Sequence, residues 1–539
     1  MSIIDARELA ETGEFATDIC IIGSGAAGLT LASQLDAAGQ DVCVLESGGF
    51  QPESETQSLN DLENLGYPIR ENFMSRARYY GGSCNIWAGR SMLYGPSELA
   101  CREWVTDSGW PLPYPELARH LPGAAKILGL PSVELFDPER HRAGLSASEI
   151  SLYATDALTP TVSLWAPRPK RFGAAYRGQL RRSRNIRLIL HASAVNLNLD
   201  ESGTRIASVD AATISNRRFR IRARTVVLAC GGMENARLLL LSRGQHSNGI
   251  GNANDLVGRY FMDHPRAVYG RVRLHPSTRL SLLDGYPRAE GKVQFGIGFS
   301  PELQRREGLL DHYATLEMAH SDYTAKQYHS FIRTMKVLLR KGYAGNRWDV
   351  GRARLGDISG LVYLLTPREL MPHPLYRAYW RARRLVRGRR GGGERVVVYF
   401  CEQPPDRESR VTLSDQRDQL GLNRIALHWN VGAAVEESVL RLQSLLQQRL
   451  AETGLGTLEP GQGPIRFTDA SHHMGTTRMS HSPRTGVVDL NGMVHGVEGL
   501  YVAGSSVFPS ASNRNPTFTI VALALRLAQH LTQRAGGPA

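Results

Sequence analysis

Residues 18–46 have the sequence DICIIGSGAAGLTLASQLDAAGQDVCVLE, in which two short apolar runs flank a glycine-rich turn. The runs 18–22 and 41–45 are predicted to be buried parallel strands. Between them, residues 29–38 carry apolar side chains at helical spacing, and Gly39 is placed to end that helix. The order strand, glycine turn, helix and strand predicts a βαβ unit.

The turn of this unit has the pattern GxGxxG, and Glu46 closes the second strand. In such a unit the glycines permit a tight turn and a close approach of the backbone to a pyrophosphate, while the acid binds ribose hydroxyls. A lone GxGxxG is a weak signal, but two strands, a helix and a terminal acid make it specific. We therefore predict a dinucleotide site, and the acid favours FAD or NAD over NADP. The predicted contacts are Gly23, Gly25, Ala26, Ala27, Gly28, Glu46 and Ser47.

The composition fits a large globular enzyme. Of the 539 residues, 42% are hydrophobic and 21% are charged, a balance without a signature of disorder. The chain has no apolar run of membrane-spanning length, and its first residues lack a signal peptide, so we expect it in the cytoplasm. The six cysteines lack CxxC spacing, which argues against zinc, c-type haem and a disulfide framework.

The net charge of +13 has its densest source in the segment Arg377 to Arg395. Aromatic and aliphatic residues lie between these arginines, as in a basic amphipathic helix that contacts an anionic membrane or an acidic partner protein. A solvated arginine-rich helix that leads into the glycines 391–393 explains the pattern equally simply. No nucleic-acid motif accompanies the patch, so nucleic acid is not an expected partner.

Two further glycine-rich stretches suit contact with a flat ligand. The first contains Gly82, Ser83 and Asn85, where the amide side chain is able to bind the edge of a heterocycle, although a plain surface turn is the alternative. The second begins with a hairpin-like stretch that includes Val195. It continues as an apolar strand, a glycine turn and a helix through Ala229 and Gly231, and this strand is predicted to extend the parallel sheet.

The C-terminal block carries candidate chemistry. His472 and His473 precede Gly475-Thr476, an apolar strand ends in Gly504-Ser505, and Asn515-Pro516-Thr517 stands at the start of a helix. Backbone N–H groups at such a start are free to face an anionic ligand. Taken alone, either histidine is equally well explained as structural. A metal site of His472, His473 and His481 would lack a carboxylate at suitable spacing.

These elements together resemble the glucose-methanol-choline (GMC) oxidoreductase family of FAD-dependent alcohol oxidases and dehydrogenases, over nearly the full length. The resemblance implies an α/β (α+β two-domain) fold. It joins a Rossmann-like FAD-binding domain to a substrate domain built on a mostly antiparallel sheet covered by helices. The implied FAD domain is discontinuous, with residues 1–110, 190–270 and 470–539, and the substrate domain takes residues 111–189 and 271–469.

The resemblance also assigns roles in the chemistry. His472 matches the family's catalytic histidine, and Asn515 matches the partner that orients the substrate oxygen. His472 is then the general base that takes the hydroxyl proton while the C–H hydride goes to flavin N5. Some relatives carry a histidine, bonded covalently to the flavin, where this chain has Ile86, so we expect noncovalent FAD.

The substrate is the least determined feature. Gln403, near the end of an apolar strand, and His473 are weak candidates for substrate contacts. The resemblance favours a sugar, glycoside or polyol, with oxygen, a quinone or a redox partner as electron acceptor. The alternatives are an apolar secondary alcohol or biosynthetic intermediate, a non-redox lyase or isomerase on the same flavin scaffold, and a dehydrogenase that uses soluble NAD.

Overall fold

The computed structural model describes residues 3–9, 12–69, 75–288, 291–318 and 393–536. Most of the predicted arginine patch lies outside the described residues. The strands are β1 (Ile3–Asp5), β2 (Thr12–Ile22), β3 (Val42–Leu45), β4 (Leu62–Asn64), β5 (Arg90–Ser91), β6 (Leu158–Trp165), β7 (Ile186–Leu190), β8 (Ser193–Leu199), β9 (Ile206–Ala212), β10 (Arg218–Leu228), β11 (Arg266–Leu274), β12 (Tyr286–Arg288), β13 (Gly291–Phe299), β14 (Tyr313–Met318), β15 (Gly393–Phe400), β16 (Arg410–Arg417), β17 (Asn423–His428), β18 (Gly456–Glu459) and β19 (Leu500–Val502).

Helices lie between these strands in the described part of the chain. They are α1 (Ala26–Ala37), α2 (Ser54–Ser58), α3 (Pro96–Leu99), α4 (Tyr114–Ala118), α5 (Leu121–Leu128), α6 (Ala147–Tyr153), α7 (Phe172–Arg182), α8 (Glu234–Leu241), α9 (Pro301–Glu307), α10 (Ala433–Glu452) and α11 (Thr517–Gly536). None of the described helices is long and apolar enough to cross a membrane.

The first sheet has the strand order β1-β7-β3-β2-β10-β9-β8. Its centre is parallel, with β2 between β3 and β10, and every residue of β3 is buried. The predicted βαβ unit is thus confirmed as β2-α1-β3, and Gly39 follows α1 with a φ of +75°. That left-handed conformation favours glycine, which explains the end of the helix at this point.

The strand β10 joins the N-terminal and C-terminal parts of the chain. Its first half pairs with β9 in an antiparallel meander that also contains β8, and its last three residues pair in parallel with β19. The other edge of β10 runs beside β2 over its whole length. This confirms the prediction that the strand before Ala229 extends the parallel sheet. The C-terminal helix α11 packs against α1 and α5.

The second sheet has the order β18-β11-β15-β14-β13-β6-β5, with β12 beside β13, and all of its pairs are antiparallel. The two-domain α/β class with an antiparallel second sheet is therefore confirmed. A small third sheet joins β16, β17 and β4.

The exact domain boundaries stay a prediction. Two strands that lie wholly or partly within the predicted FAD segments pair with the second sheet. The strand β5 lies inside the predicted FAD segment 1–110 but belongs to the second sheet. The strand β11 begins at Arg266, before the predicted boundary at residue 270, and also belongs to the second sheet.

Candidate active site

A cavity opens at the carboxyl ends of the parallel strands of the first sheet, the place where ligands bind in open α/β sheets. Its wall combines segments from both ends and from the middle of the chain. The N-terminal part of the chain contributes Gly23, Gly25, Ala26, Ala27, Glu46, Ser47, Gly82 and Ser83. The middle and C-terminal segments contribute Ala229, Gly231, Gly504, Ser505, Pro516 and Thr517. All of these were predicted as cofactor contacts from the sequence.

Three glycines of this wall leave room for a ligand against the backbone. A Cβ added to Gly25, Gly231 or Gly504 would meet no protein atom within 4 Å. Gly25 is also the N-cap of α1 and has no side-chain capping bond, so the first N–H groups of that helix are available to an anion. This open cradle fits the pyrophosphate end of a dinucleotide.

The other two glycines of the pattern serve the packing of the chain itself. A Cβ on Gly23 would lie 2.5 Å from the Ala229 oxygen, and one on Gly28 would lie 2.0 Å from the Gly23 oxygen. Gly23 also has a φ of +103°. Gly28 therefore permits close contact between α1 and the turn and does not line the cavity.

Glu46 occupies the position predicted for a ribose contact. The buried carboxylate accepts hydrogen bonds from the Ser24 hydroxyl at 2.5 Å, from the Ser24 N–H at 3.1 Å and from the Gly48 N–H at 3.0 Å. These bonds fix the carboxylate at the end of β3, beside the cavity. A carboxylate held in this position is able to accept hydrogen bonds from ribose hydroxyls.

An ion cluster in the same wall was not predicted. Arg76 and Arg78 lie 3.1 Å and 2.9 Å from the carboxylate oxygens of Glu234. Burial alone would raise the pKa of Glu234, but the cations of Arg78, Arg237 and Arg76 lower this pKa to about 2. The wall therefore carries fixed positive groups next to the glycine cradle, as an anionic cofactor requires.

Two residues that were predicted to contact the cofactor, Asn85 and Val195, are not among those that line the cavity. Asn85 donates from Nδ2 to the Tyr80 oxygen at 2.7 Å and accepts at Oδ1 from the Gly173 N–H at 2.9 Å, so its amide ties the loop to α7. At β8 the cavity wall is formed by Ser193 and Ala194 instead of Val195. The pairing of β8 with β9 shifts register after Ala194, and this irregularity changes which residues face the ligand.

His472 lines the cavity, and Asn515 lies against this histidine, although neither residue is on a regular strand. The Asn515 Nδ2 atom lies 3.2 Å from His472 Nε2. On its other side, His472 Nδ1 lies 2.8 Å from Nδ1 of His264. The local sequence gives no signal that His264 contacts His472, because the two residues are more than 200 positions apart.

The far end of this chain of contacts determines where the protons lie. His264 Nε2 lies 3.3 Å from the Ala511 carbonyl oxygen, which only accepts hydrogen bonds. His264 therefore carries its proton on Nε2 and accepts at Nδ1 from the N–H of His472. His472 then has an unprotonated Nε2, which accepts from the Asn515 amide. The contact network assigns to His472 the tautomer whose unprotonated nitrogen, Nε2, faces Asn515.

The electrostatic surroundings also keep these rings neutral. Burial lowers the pKa of His472 well below its ordinary value, and the nearby His264, Arg266, His473 and Arg90 act in the same direction. Burial likewise lowers the pKa of His264 to about 4. Neutral imidazole is the form that accepts a proton from a hydroxyl, so His472 is available as a base at neutral pH.

Asp263 holds the two histidine-bearing segments together. Its Oδ1 atom accepts from the backbone N–H groups of His264 at 2.5 Å, of Ala470 at 3.1 Å and of His472 at 3.1 Å. The carboxyl is completely buried. This residue was also missed in the sequence, since its role depends on contacts between distant segments.

The two weak candidates for substrate contacts, Gln403 and His473, both lie in contact with other parts of the protein. Gln403 accepts from the Asp263 N–H and the Trp429 indole N–H, and it donates to the Phe261 and Asn430 oxygens. Both lone pairs and both protons of its amide are thus used, which argues against binding of a substrate hydroxyl.

His473 stacks on Phe261 at 5.8 Å and lies in the wall of the cofactor cavity. His481 is exposed. Within the described ranges of the chain, no group of three or more His, Cys, Asp or Glu side chains is placed to hold a metal ion.

Comparison with known proteins agrees with this architecture. The family described as FAD dependent oxidoreductase matches residues 18–273, and the family described as GMC oxidoreductase matches residues 405–524. The chain is similar to 6'''-hydroxyparomomycin C oxidase of Streptomyces lividus, with 24% identity over 96% of this chain and 93% of the relative. It is also similar to 2-methyl-1,2-propanediol dehydrogenase of Mycolicibacterium austroafricanum, with 24% identity over 96% of this chain and 95% of the relative.

A solved structure has the same fold over nearly the whole chain. It is a formate oxidase variant of Aspergillus oryzae RIB40, with a TM-score of 0.55, 17% identity, and coverage of 96% of this chain and 98% of the other. The two matching families and the relatives confirm the predicted family resemblance. The chain combines an FAD dependent oxidoreductase domain with a C-terminal GMC oxidoreductase domain, and it is an FAD-dependent oxidoreductase that acts on an alcohol group.

Proposed function

We propose that the enzyme oxidises the CH–OH group of a sugar, glycoside or polyol to a carbonyl, with His472 as the general base and Asn515 as its partner. The observation that carries this proposal is the directed chain of contacts from the Ala511 carbonyl through His264 and His472 to Asn515. This chain leaves one unprotonated imidazole nitrogen next to one amide donor. An alcohol hydroxyl needs both an acceptor for its proton and a donor for its oxygen.

The residues of the chain then have separate tasks. His472 Nε2 receives the hydroxyl proton, and the Asn515 Nδ2 group donates a hydrogen bond to the oxygen as negative charge develops on it. His264 keeps the proton of His472 on Nδ1, and Asp263 fixes the backbone position of the base. FAD, when bound, supplies the acceptor for the two electrons that leave the alcohol carbon.

We propose that FAD is held without a covalent bond. Ile86 has no nucleophile with which to form such a bond. Cys84 and Cys230 line the cavity, but burial raises the pKa of each thiol to about 12, so neither is a thiolate at neutral pH. Acid precipitation is the test: the yellow colour is expected in the supernatant, and flavin that stays with the pellet would contradict noncovalent binding.

The proposed substrate class rests on the residues of the site together with the relatives. The names of the two relatives describe hydroxyl-bearing compounds, one oxidised by an oxidase and one by a dehydrogenase. Oxygen, a quinone or a redox partner are therefore all proposed as electron acceptors. A contact of Arg377–Arg395 with a membrane or an acidic protein stays a prediction, as does the cytoplasmic location.

The proposed function is tested by an anaerobic absorbance spectrum of the holoenzyme with sugars, glycosides, polyols and secondary alcohols. We expect one of the first three classes to bleach the flavin band. The variant His472→Ala should keep its FAD but lose about 10² to 10⁴ in the rate of bleaching, because the hydroxyl proton then has no acceptor. Equal rates for the variant and the wild type would contradict the role of His472.

A further inference from the structure

Two arginines of the second sheet meet over one aromatic ring. The guanidinium carbons of Arg90 and Arg266 lie 4.8 Å and 4.7 Å from the centre of the Phe400 ring. They come from distant strands: Arg266 starts β11, next to β15, while Arg90 is on β5 at the opposite edge of the sheet. The side chain of Arg90 reaches across Trp165 and Tyr313 to arrive there.

The sheet is shaped to support this arrangement. Tyr313 stacks on Phe400 at 4.7 Å with an interplanar angle of 2°. Below it, Gly296 of β13 leaves space for the tyrosine ring, since a Cβ there would lie 2.4 Å from Tyr313 Cδ2. Arg90 contacts both stacked rings and Arg266 contacts Phe400, and such contacts with aromatic rings stabilise cations.

Arg90 is only partly satisfied by the protein. Its Nε donates to the Ser163 hydroxyl at 3.0 Å. In the part of the chain that the structure describes, its buried Nη2 has no hydrogen-bond partner, and no carboxylate lies within ion-pair distance of its guanidinium. A guanidinium group stays charged at every physiological pH, so the side chain presents a permanent cation with an unused donor.

These cations lie near the catalytic pair but do not themselves line the cofactor cavity. Neither Arg90 nor Arg266 lines that cavity, whose positive groups are Arg76 and Arg78. The backbone of Arg266 exchanges two hydrogen bonds of 2.8 Å with Thr468, four residues before His472. The charges of both Arg90 and Arg266 also contribute to the low pKa of His472, which places them within electrostatic reach of the base.

We infer that the alcohol oxidised by this enzyme carries an anionic group, a carboxylate or a phosphate, which binds to the guanidinium groups over Phe400. The inference rests on the proposed function, since it assigns a charged substituent to the substrate of the same site. An oxyanion near Phe400 would be attracted by both guanidinium groups and would use the free donor of Arg90. Acidic sugars and hydroxy acids are compounds of this kind.

The first test measures anion binding without turnover. Acetate and inorganic phosphate are titrated separately into the oxidised holoenzyme while the flavin absorbance is recorded. At least one anion should perturb the spectrum in a saturable manner, and the variant Arg90→Gln should weaken its binding about tenfold or more, since it loses a charged hydrogen bond. The anion that binds more tightly shows whether the site prefers a carboxylate or a phosphate.

A matched control comes from another arginine on a ring. Arg187 lies over Phe15 at 5.8 Å in the first sheet, and Arg187→Gln should bind the anions as the wild type does. If Arg90→Gln does not fold, Arg90→Lys keeps the charge but loses the forked donor, and its binding should fall between the two. Equal anion binding by the wild type and the folded Arg90 variants, or no binding at all, would overturn the inference.

The second test uses methyl β-D-glucoside, its uronic acid counterpart methyl β-D-glucuronide, and glucose 6-phosphate as anaerobic reductants. A charged sugar should reduce the flavin faster than the neutral one, and Arg90→Gln should remove most of that preference. Faster reduction by the neutral glucoside would overturn the inference while supporting alcohol oxidation. If no sugar reduces the flavin but Arg90-dependent anion binding persists, the anion site is supported and the sugar class of the proposed function fails.

Discussion

The two sides of the active site are built in different ways. On the cofactor side, the cavity wall consists largely of backbone and small residues, with glycines such as Gly25 and Gly504 where the ligand approaches. The proposed substrate side consists of long side chains from separate strands and loops, such as His472, His264 and Arg90. The cofactor wall joins short segments that each have a local signal in the sequence, whereas the proposed substrate side depends on side chains that meet only when distant segments pack.

This difference has a functional meaning. A backbone cradle recognises the pyrophosphate and ribose that every FAD molecule carries, so it suits an unchanging ligand. Side chains on a sheet are exchangeable without disturbing the cradle, so we propose that they determine which alcohol is oxidised. Substitutions on the cofactor side should therefore lower the flavin content, and substitutions on the substrate side should lower the rate of reaction.

The largest expected effect is on the cofactor side. Gly25→Val places a side chain in the open space of the cradle, while the φ of −76° at Gly25 allows the substitution without backbone strain. We expect a folded protein that purifies almost without flavin and has no activity. Flavin absorbance after purification measures the cofactor content, and circular dichroism shows whether the protein is folded.

Gly432 provides a matched control for this substitution. It is also the N-cap of a helix, has a φ of −73° and has no neighbour near the site of a Cβ, but it lies outside the cavity. Gly432→Val should keep normal flavin content. Loss of flavin in both variants would mean that the effect at Gly25 is not specific to the cradle.

A smaller effect is expected at His264, which contacts His472 without lining the cofactor cavity. His264→Leu removes the acceptor that holds the proton on His472 Nδ1, so kcat should fall about 10- to 100-fold at unchanged flavin content. His264→Gln keeps an acceptor oxygen and should lose less. Anaerobic stopped-flow reduction measures both rates, and a leucine variant as fast as the glutamine variant would contradict the positioning role.

The pH dependence should be shallow near neutrality. A base must be unprotonated to act, and the lowered pKa of His472 extends the unprotonated form to more acidic solution. We therefore expect kcat/KM to stay level from about pH 8 to about pH 6 and to decline only below that range. A half-maximal value at or above about pH 6.5, the ordinary pKa of histidine, would contradict the electrostatic account.

The smallest effect on catalysis is expected at Gln403. Gln403→Leu removes the partners of buried groups, including the Trp429 indole N–H, so the free energy of unfolding should fall by about 1 to 3 kcal/mol for each unpaired group. The KM for the alcohol should stay within about twofold of the wild type, because the amide is fully used by the protein. A large increase in KM at unchanged stability would restore Gln403 as a substrate contact.

The sequence was more informative for the cradle than for the rest. Gly23, Gly25 and Glu46 belong to one strand-turn-helix-strand unit, in which a glycine signals a turn and an acid ends a strand. His264 and Asp263 have no such local signal, since their partners at His472 are distant in the chain. Val195 was predicted to contact the cofactor, but Ala194 lines the cavity instead. The pairing of β8 with β9 shifts register at this point, and the alternation of side chains along a strand does not reveal such a shift.

The pairing of β10 with both β2 and β19 has a consequence for how the enzyme is made. During synthesis the glycine turn leaves the ribosome early, but Gly504, Pro516 and helix α11 follow only after nearly the whole chain has been translated. A nascent chain that has just completed β2-α1-β3 lacks the opposite wall of the cavity. The complete cofactor cavity therefore forms only after the C-terminal segments have packed against the first βαβ unit, so we expect FAD to bind late in folding.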